Sequence, residues 1–366
     1  MTDLYDIAII GAGPAGSTLA RELATAREDM KILLIDGQNA DTPKPCGGLL
    51  APDAQKVLAS FDLTLPKQVL ADPQIFAVET IDLCSRRVRY YQRHYLNMDR
   101  YAFDSWVVSL IPNRVDICKG RCIEIERSED RFCLSLRDGR RAQALAVVGA
   151  DGASSMVRCK FFYEPTKKYI AIQQHFKGSP HSAVPYYSCI FDPETSDSCS
   201  WSIHKDDEII FGGAFDIVGG RENFEKQKAR LEDFIGTPLG EPILTEACTV
   251  CSPRRRSDFL CGGAGIYLVG EAAGFISSSS FEGISSAMLS GKLLADALSV
   301  AESPKSAIGS YRRKCRKLQF KLSTKIFKRA VLCSPLLRKL IMKSGIESVE
   351  KYNHNSRNSN VLGAAK

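Results

Sequence analysis

No stretch of this 366-residue chain reaches the roughly 18 uninterrupted apolar residues that a membrane-spanning helix needs. Nor do the opening residues, Met-Thr-Asp-Leu-Tyr-Asp, carry the basic charge of an export signal, so a cytoplasmic protein is expected. Asp and Glu are missing from Ser303 to Ile346, where thirteen lysines and arginines fall. The net charge of +7 is therefore local, and the rest of the chain is mildly acidic. Histidine is scarce, with five in all. The CxxC pair Cys248 and Cys251 has no second pair and no histidines at ligand spacing, only Cys261 nearby, so no metal site is expected. Cysteine itself is plentiful at thirteen, but in a cytoplasmic chain these, Cys118 and Cys122 among them, read as free thiols. With 44% hydrophobic residues the chain has ample material for the cores of two or three domains.

What is present begins with an apolar run, Tyr5 to Ile10, leading into Gly11-Ala-Gly-Pro-Ala-Gly16. Helix formers then reach about Ala26, and Lys31-Ile-Leu-Leu-Ile-Asp36 reads as a second strand. Predominantly apolar strands suit a parallel sheet covered on both faces, so this is a βαβ unit of Rossmann type. Its glycines Gly11, Gly13 and Gly16 allow a tight turn, close backbone approach to a pyrophosphate and close helix packing, and Ala15 sits in the first helical turn. The helix N-terminus adds amide donors and partial positive charge. Asp36, 20 residues after Gly16, is placed to accept hydrogen bonds from a ribose diol. The motif alone leaves NAD and FAD both open.

Further along, Arg100 to Leu110 reads as helix, and Val115–Cys118 and Arg131–Leu136 as strands that lead to Ala146-Val-Val-Gly-Ala-Asp-Gly152. From about Tyr169 to Val250 the pattern changes to alternating strands, among them Tyr186–Phe191, Ser200–His204 and Ile209–Ala214, which suggest an antiparallel sheet. The first architecture then returns with a strand over Gly265–Gly270 and a long helix from Glu282 to about Leu298.

Gly149-Ala-Asp-Gly-Ala-Ser-Ser155 and Gly270-Glu-Ala-Ala-Gly274 resemble the second and third cofactor motifs of the p-hydroxybenzoate-hydroxylase-type flavoprotein superfamily. The resemblance implies FAD. It places Asp151, Gly270 and Glu271 at the cofactor, Arg100 near it, and Gly283 and Ile284 at a helix N-terminus that faces the flavin and favours its negatively charged reduced form. Lys44-Pro-Cys-Gly-Gly-Leu49 is similar to the Cys-Gly-Gly loop of the geranylgeranyl reductases, which sets Cys46, Gly47 and Gly48 beside the flavin ring. The wording of KPCGGLLAPDAQ, AIQQ, YSCIFD, FGGA and GEAAGFIS resembles still more closely the CbrA-type flavoproteins of enteric bacteria. Three departures stand out: Glu271 replaces a usual Asp, Phe281 a usual glycine, and His204 a proline of the lipid-recognising strand.

These readings predict an α/β flavoprotein with an inserted antiparallel-sheet substrate domain. The FAD-binding domain is expected over 1–75, 97–168 and 255–302, and the substrate domain over 76–96 and 169–254. A basic helical segment is expected over 303–351 and a disordered tail over 352–366. The expected reaction is reduction of a carbon–carbon double bond in an apolar substrate, an isoprenoid being one class, with Cys46 and His204 as candidate catalytic groups. The alternatives are monooxygenation of an aromatic or polyketide-like substrate, and a flavin-loaded redox sensor or membrane-associated binding protein. No second strand–GxGxxG–helix unit is present, so electrons are expected from docked NAD(P)H or a reduced carrier protein. Over 311–343 apolar residues interleave with bases, which predicts docking on an anionic membrane surface. Nucleic acid is not expected, because no recognition motif accompanies the charge.

Overall fold

The computed structural model describes residues 4–37, 45–163, 166–178, 184–344 and 348–349. Lys44 and the tail from 352 lie outside the described residues. The chain opens with β1 (Leu4–Ile10), α1 (Pro14–Ala26) and β2 (Ile32–Asp36). Ile7 to Ile10 and all of β2 are buried, because β1 lies between parallel neighbours and helices cover the sheet. After β3 (Leu49–Leu50) and α2 (Pro52–Ser60), the long strands β4 (Ile75–Asp82) and β5 (Arg87–Asn97) leave this sheet.

The chain returns through α3 (Arg100–Ser109), which Asp99 caps by accepting the Ala102 amide at 2.6 Å. There follow β6 (Asp116–Lys119), β7 (Cys122–Ser128), β8 (Arg131–Leu136), β9 (Arg141–Gly149) and α4 (Met156–Phe162). The second excursion is β10 (Lys168–Lys177), β11 (Tyr186–Phe191), β12 (Cys199–Lys205), β13 (Glu208–Phe215), α5 (Gly220–Ile235) and β14 (Pro242–Cys251). The closing elements are β15 (Gly262–Gly263), β16 (Ile266–Leu268), α6 (Ile284–Leu298), α7 (Ile308–Cys333) and α8 (Pro335–Lys343).

Two sheets result. The nucleotide sheet runs β15-β16-β9-β1-β2-β6, with the β7–β8 hairpin joined through β9. The second runs β14-β10-β13-β12-β11-β4-β5-β3, and α5 packs Phe224 and Leu231 against Phe176, Phe211 and Phe215 beneath it. An antiparallel sheet was the expectation for the second, yet β11 pairs with β4 in parallel, Tyr186 opposite Ala77 through Phe191 opposite Asp82. More than 100 residues separate the two strands, which is long enough for the crossover a parallel pair requires.

The basic segment forms a strap across both sheets. Tyr311, Cys315, Leu318 and Leu322, spaced by one helical turn each, are buried in the nucleotide-domain core, and the Tyr311 hydroxyl donates to Leu268 O at 2.9 Å. Further along, Arg329 donates to Asp197 Oδ2 at 2.7 Å, and Arg338 to Asp82 Oδ2 at 3.1 Å. Two of the bases counted as surface charge are thus buried and ion-paired, Arg338 with a buried carboxylate and Arg329 with an exposed one, and Leu318 and Leu322 of the apolar stripe are core. Phe320, Phe327, Leu336, Leu337 and Leu340 remain exposed. Among the described residues no helix is long and apolar enough to cross a membrane.

Candidate active site

A cavity of about 830 Å³ runs between the two sheets, towards the upper end of the range for small-molecule sites. At one end the β1–α1 turn supplies Gly11, Gly13 and Ala15. Gly11 holds φ +108°, a conformation that disfavours side chains, and a Cβ there would stand 2.4 Å from Ala150 O. A Cβ on Gly16 would lie 1.9 Å from Gly11 O, so Gly16 serves helix packing and does not line the cavity. Gly13 differs: it lines the cavity, and a Cβ there meets nothing within 4 Å. It is also the N-cap of α1, without a side-chain cap, so the first-turn amides have no local acceptor.

Asp36 ends β2 in this part of the wall, with Lys119 paired to its carboxylate. Sequence reasoning missed Arg121 and Arg137, which line the same end and add positive charge. Their signal was only that they flank the β7–β8 hairpin joined to this sheet.

The middle of the wall holds Asp151, Cys46, Gly47, Gly48, Arg100 and Glu271. Asp151 Oδ2 accepts the Met156 amide at 2.8 Å, while Oδ1 is buried without a hydrogen-bond partner. Burial raises this carboxyl, and its hydrogen bonds only partly offset that. Glu271 lines the cavity but also accepts the Cys251 amide at 2.9 Å, which anchors its longer side chain. Gly270 does not line it: the Gly270 amide donates to Ser290 Oγ at 2.8 Å, and a Cβ would press on Ala15.

Cys46 Sγ accepts the Gly48 amide at 3.4 Å, and two cations, Arg100 and Lys205, bear on it. Arg100 pairs with Asp104 at 3.0 Å. Burial pulls Lys205 down to about 8, although its ammonium still donates to Asn97 Oδ1 at 2.8 Å. Cys46→Ala is expected to leave folding and FAD retention intact, because the uncapped α1 amides and Gly13 lie on another element of the wall. It is expected to change turnover or the potential of the bound flavin, measured by redox titration of the purified holoprotein.

His204 requires a correction. Strand side chains alternate between faces, and β12 turns Trp201 and Ile203 into the cavity, which leaves His204 outside it. Burial lowers its pKa, so it is a neutral strand residue whose carbonyl accepts from Asn97.

Where α6 begins, Gly283 is its N-cap, again without a side-chain cap, and lines the cavity with Ile284. Phe281 takes φ +54°, the left-handed region that explains why glycine suits this position, and its ring packs edge-on to Tyr169 at 6.0 Å. Around this end stand Tyr95, Tyr187, Cys189, Cys199, Trp201 and Glu282, none of which sequence reasoning selected for chemistry. The Tyr95 hydroxyl donates to Glu282 Oε1 at 2.7 Å, and Arg93 reaches both Glu282 oxygens at 3.1–3.2 Å. No cluster of metal-ligating side chains occurs among the described residues.

The cavity thus joins two uncapped helix N-termini, the acids Asp36, Asp151 and Glu271 beside glycine turns, and a tyrosine-lined end. This is the ground plan of the p-hydroxybenzoate-hydroxylase-type FAD-binding fold. The chain is 45% identical over 354 residues to protein CbrA of Escherichia coli O9:H4 (strain HS), covering 94% of each. It is 44% identical to CbrA of Shigella sonnei (strain Ss046), covering 94% of this chain and 98% of that one. The chain belongs to the CbrA family. Residues 6–206 also match the family model described as lycopene cyclase protein.

Among solved structures, a geranylgeranyl bacteriochlorophyll reductase-like protein from Thermoplasma acidophilum superposes with a TM-score of 0.78 at 18% identity, covering 93% of this chain and 91% of that one. PqsL from Pseudomonas aeruginosa, a probable FAD-dependent monooxygenase, gives 0.69 at 16% identity, covering 94% and 100%. At these identities the likeness is one of fold.

Proposed function

We propose that the chain holds FAD in this cavity and uses it to reduce a carbon–carbon double bond of an apolar substrate. The observation that carries the reading is one cavity lined by two uncapped helix N-termini, for α1 a pyrophosphate site and for α6 a site for the reduced ring. The residues present fit the cofactor: Gly13 leaves open space where a side chain would stand, and Asp151 Oδ1 lacks a partner on the cavity wall. Asp36 would hold the ribose, and Arg121 and Arg137 the charged neighbourhood of the phosphates. Cys46 and Trp201 would border the ring. Bound FAD supplies hydride transfer, with electrons from docked NAD(P)H or a reduced carrier protein.

The test is anaerobic. Protein photoreduced under argon is mixed with apolar alkenes, conjugated and isolated, and reoxidation of flavin with a saturated product by mass spectrometry is expected. Oxygen uptake matched by a hydroxylated product would instead establish monooxygenation.

The reading extends to where an apolar substrate is met. Phe320 and Phe327 on α7 and Leu336 and Leu340 on α8 are each more than 60% exposed, and exposed bases such as Lys317, Lys328, Lys339 and Lys343 surround them. Each base near an anionic surface contributes about 1 kcal/mol before screening. The protein is expected to cosediment with phosphatidylglycerol vesicles at low salt and to be released at high salt. Equal binding to phosphatidylcholine vesicles, or none to anionic ones, removes the membrane from the reading.

A further inference from the structure

Glu282 immediately precedes the α6 N-cap, so its partners lie beside the end of the cavity where the proposed reaction occurs. Arg93 and Tyr95 both donate to its carboxylate, which occupies that group as an acceptor. Tyr95 is committed as well, since its proton is held by Glu282 Oε1 at 2.7 Å. The neighbouring phenol is different. Tyr187 lines the cavity, its ring stands edge-on to Tyr95 at 5.1 Å, and its hydroxyl lies 3.5 Å from that of Tyr95.

We propose that Tyr187 is the proton donor of the reaction and that the double bond reduced is conjugated to a carbonyl group. The inference rests on the FAD-dependent reduction argued above and narrows its substrate class. Burial, reinforced by the hydroxyl of Tyr95, pushes Tyr187 well above the ordinary phenol range, so it keeps its proton throughout the physiological range. Such a weak acid cannot protonate an isolated alkene, which requires a strong acid before hydride can add. In a conjugated enone the order reverses. The β carbon receives a hydride from the reduced cofactor, the π electrons move to the carbonyl oxygen, and the resulting enolate is basic enough to take a phenolic proton at its α carbon. The C=C bond is lost, one C–H bond forms from hydride and one from Tyr187, and the cofactor is oxidised by two electrons. Tyr187 recovers its proton from solvent.

The experiment uses photoreduced holoprotein under argon with two probes, the apolar enone β-ionone and the unconjugated isoprenoid geranylgeraniol. Reoxidation of flavin by β-ionone with formation of the saturated ketone, and none by geranylgeraniol, is expected. Tyr187→Phe is expected to slow that reoxidation by about 10²–10⁴-fold, the range for loss of a general acid. Its FAD content and rate of photoreduction should match wild type, which excludes a folding defect. The wild-type reaction should also slow in deuterium oxide, and that isotope effect should vanish in the variant. Reaction of geranylgeraniol as fast as β-ionone overturns the conjugated substrate class while leaving FAD-dependent reduction standing. Equal rates for wild type and Tyr187→Phe overturn the proton donor. Reaction with neither probe, alongside oxygen uptake into a hydroxylated product, overturns reduction itself.

Discussion

Gly13→Val is expected to yield a folded protein that no longer retains FAD. The expectation follows from a contrast among the three glycines of the first turn. At Gly16 a Cβ would stand 1.9 Å from Gly11 O, and at Gly11 2.4 Å from Ala150 O, so side chains there break the backbone packing itself. At Gly13 a Cβ meets no protein atom within 4 Å, because that direction is the cavity. Valine therefore leaves the fold alone and fills the place where α1 presents its amides. Losing those contacts and the space together is expected to weaken FAD binding by at least about 100-fold, equivalent to roughly 3 kcal/mol. Fluorescence titration of apoprotein with FAD measures it, and far-ultraviolet circular dichroism checks that the variant is folded. Gly16→Val should instead fail to accumulate as soluble protein. Full FAD occupancy in Gly13→Val would place the pyrophosphate elsewhere.

The second large effect concerns stability. Arg338 and Asp82 have side chains only 2% exposed, the guanidinium lies 4.9 Å from the centre of the Phe191 ring, and Arg338 also donates to Leu332 O at 2.8 Å. Asp82 further accepts the amides of Cys84 and Ser85 at 3.2 and 3.3 Å. Arg338→Ala leaves a carboxylate in the interior without its cation, and breaking a buried pair in this way costs about 3–5 kcal/mol. Chemical denaturation should show that loss. Arg338→Met combined with Asp82→Asn should recover much of it, because neither partner then carries an unpaired charge. An Arg338→Ala protein as stable as wild type would mean that α8 does not hold this sheet.

Much of the nucleotide sheet can be read directly from the residues. Ile7–Ile10 and Ile32–Ile35 are apolar at every position because both faces are covered, and a strand buried on both faces has few alternatives. Arg131–Leu136 and Tyr186–Phe191 coincide with β8 and β11. The expected strand over Gly265–Gly270 shrinks to Ile266–Leu268, since Gly265 and Gly270 hold φ +80° and +58°, outside the strand region. Helix α5 was hidden by its charge, although Phe224, Gln227 and Leu231 at i, i+3 and i+7 are the buried positions that would have disclosed it. The parallel pairing of β4 with β11 has no local signal at all.

The site divides in the same way. Gly11, Gly13 and Asp36 are legible because the turn and strand that bring them to the cavity belong to one contiguous βαβ unit. Tyr95, Tyr187 and Glu282 come from β5, β11 and the turn before α6, and only the pairing of strands distant in sequence brings them together. His204 shows the reverse error, a residue type suited to chemistry on the wrong face of its strand.

The interleaving of the two sheets also bears on how the protein is made. β1 emerges early from the ribosome, yet its partner β9 follows more than 130 residues later and β16 more than 100 residues after that. At a translation rate of ~5–20 residues per second, β1 waits on the order of 10 s for β9, and β9 a similar time for β16. Meanwhile β4 and β5 appear before most of their own sheet. The second sheet is complete only once β14 is made, and the nucleotide sheet only when β15 and β16 follow it, so the nascent chain exposes apolar strand edges for most of its synthesis.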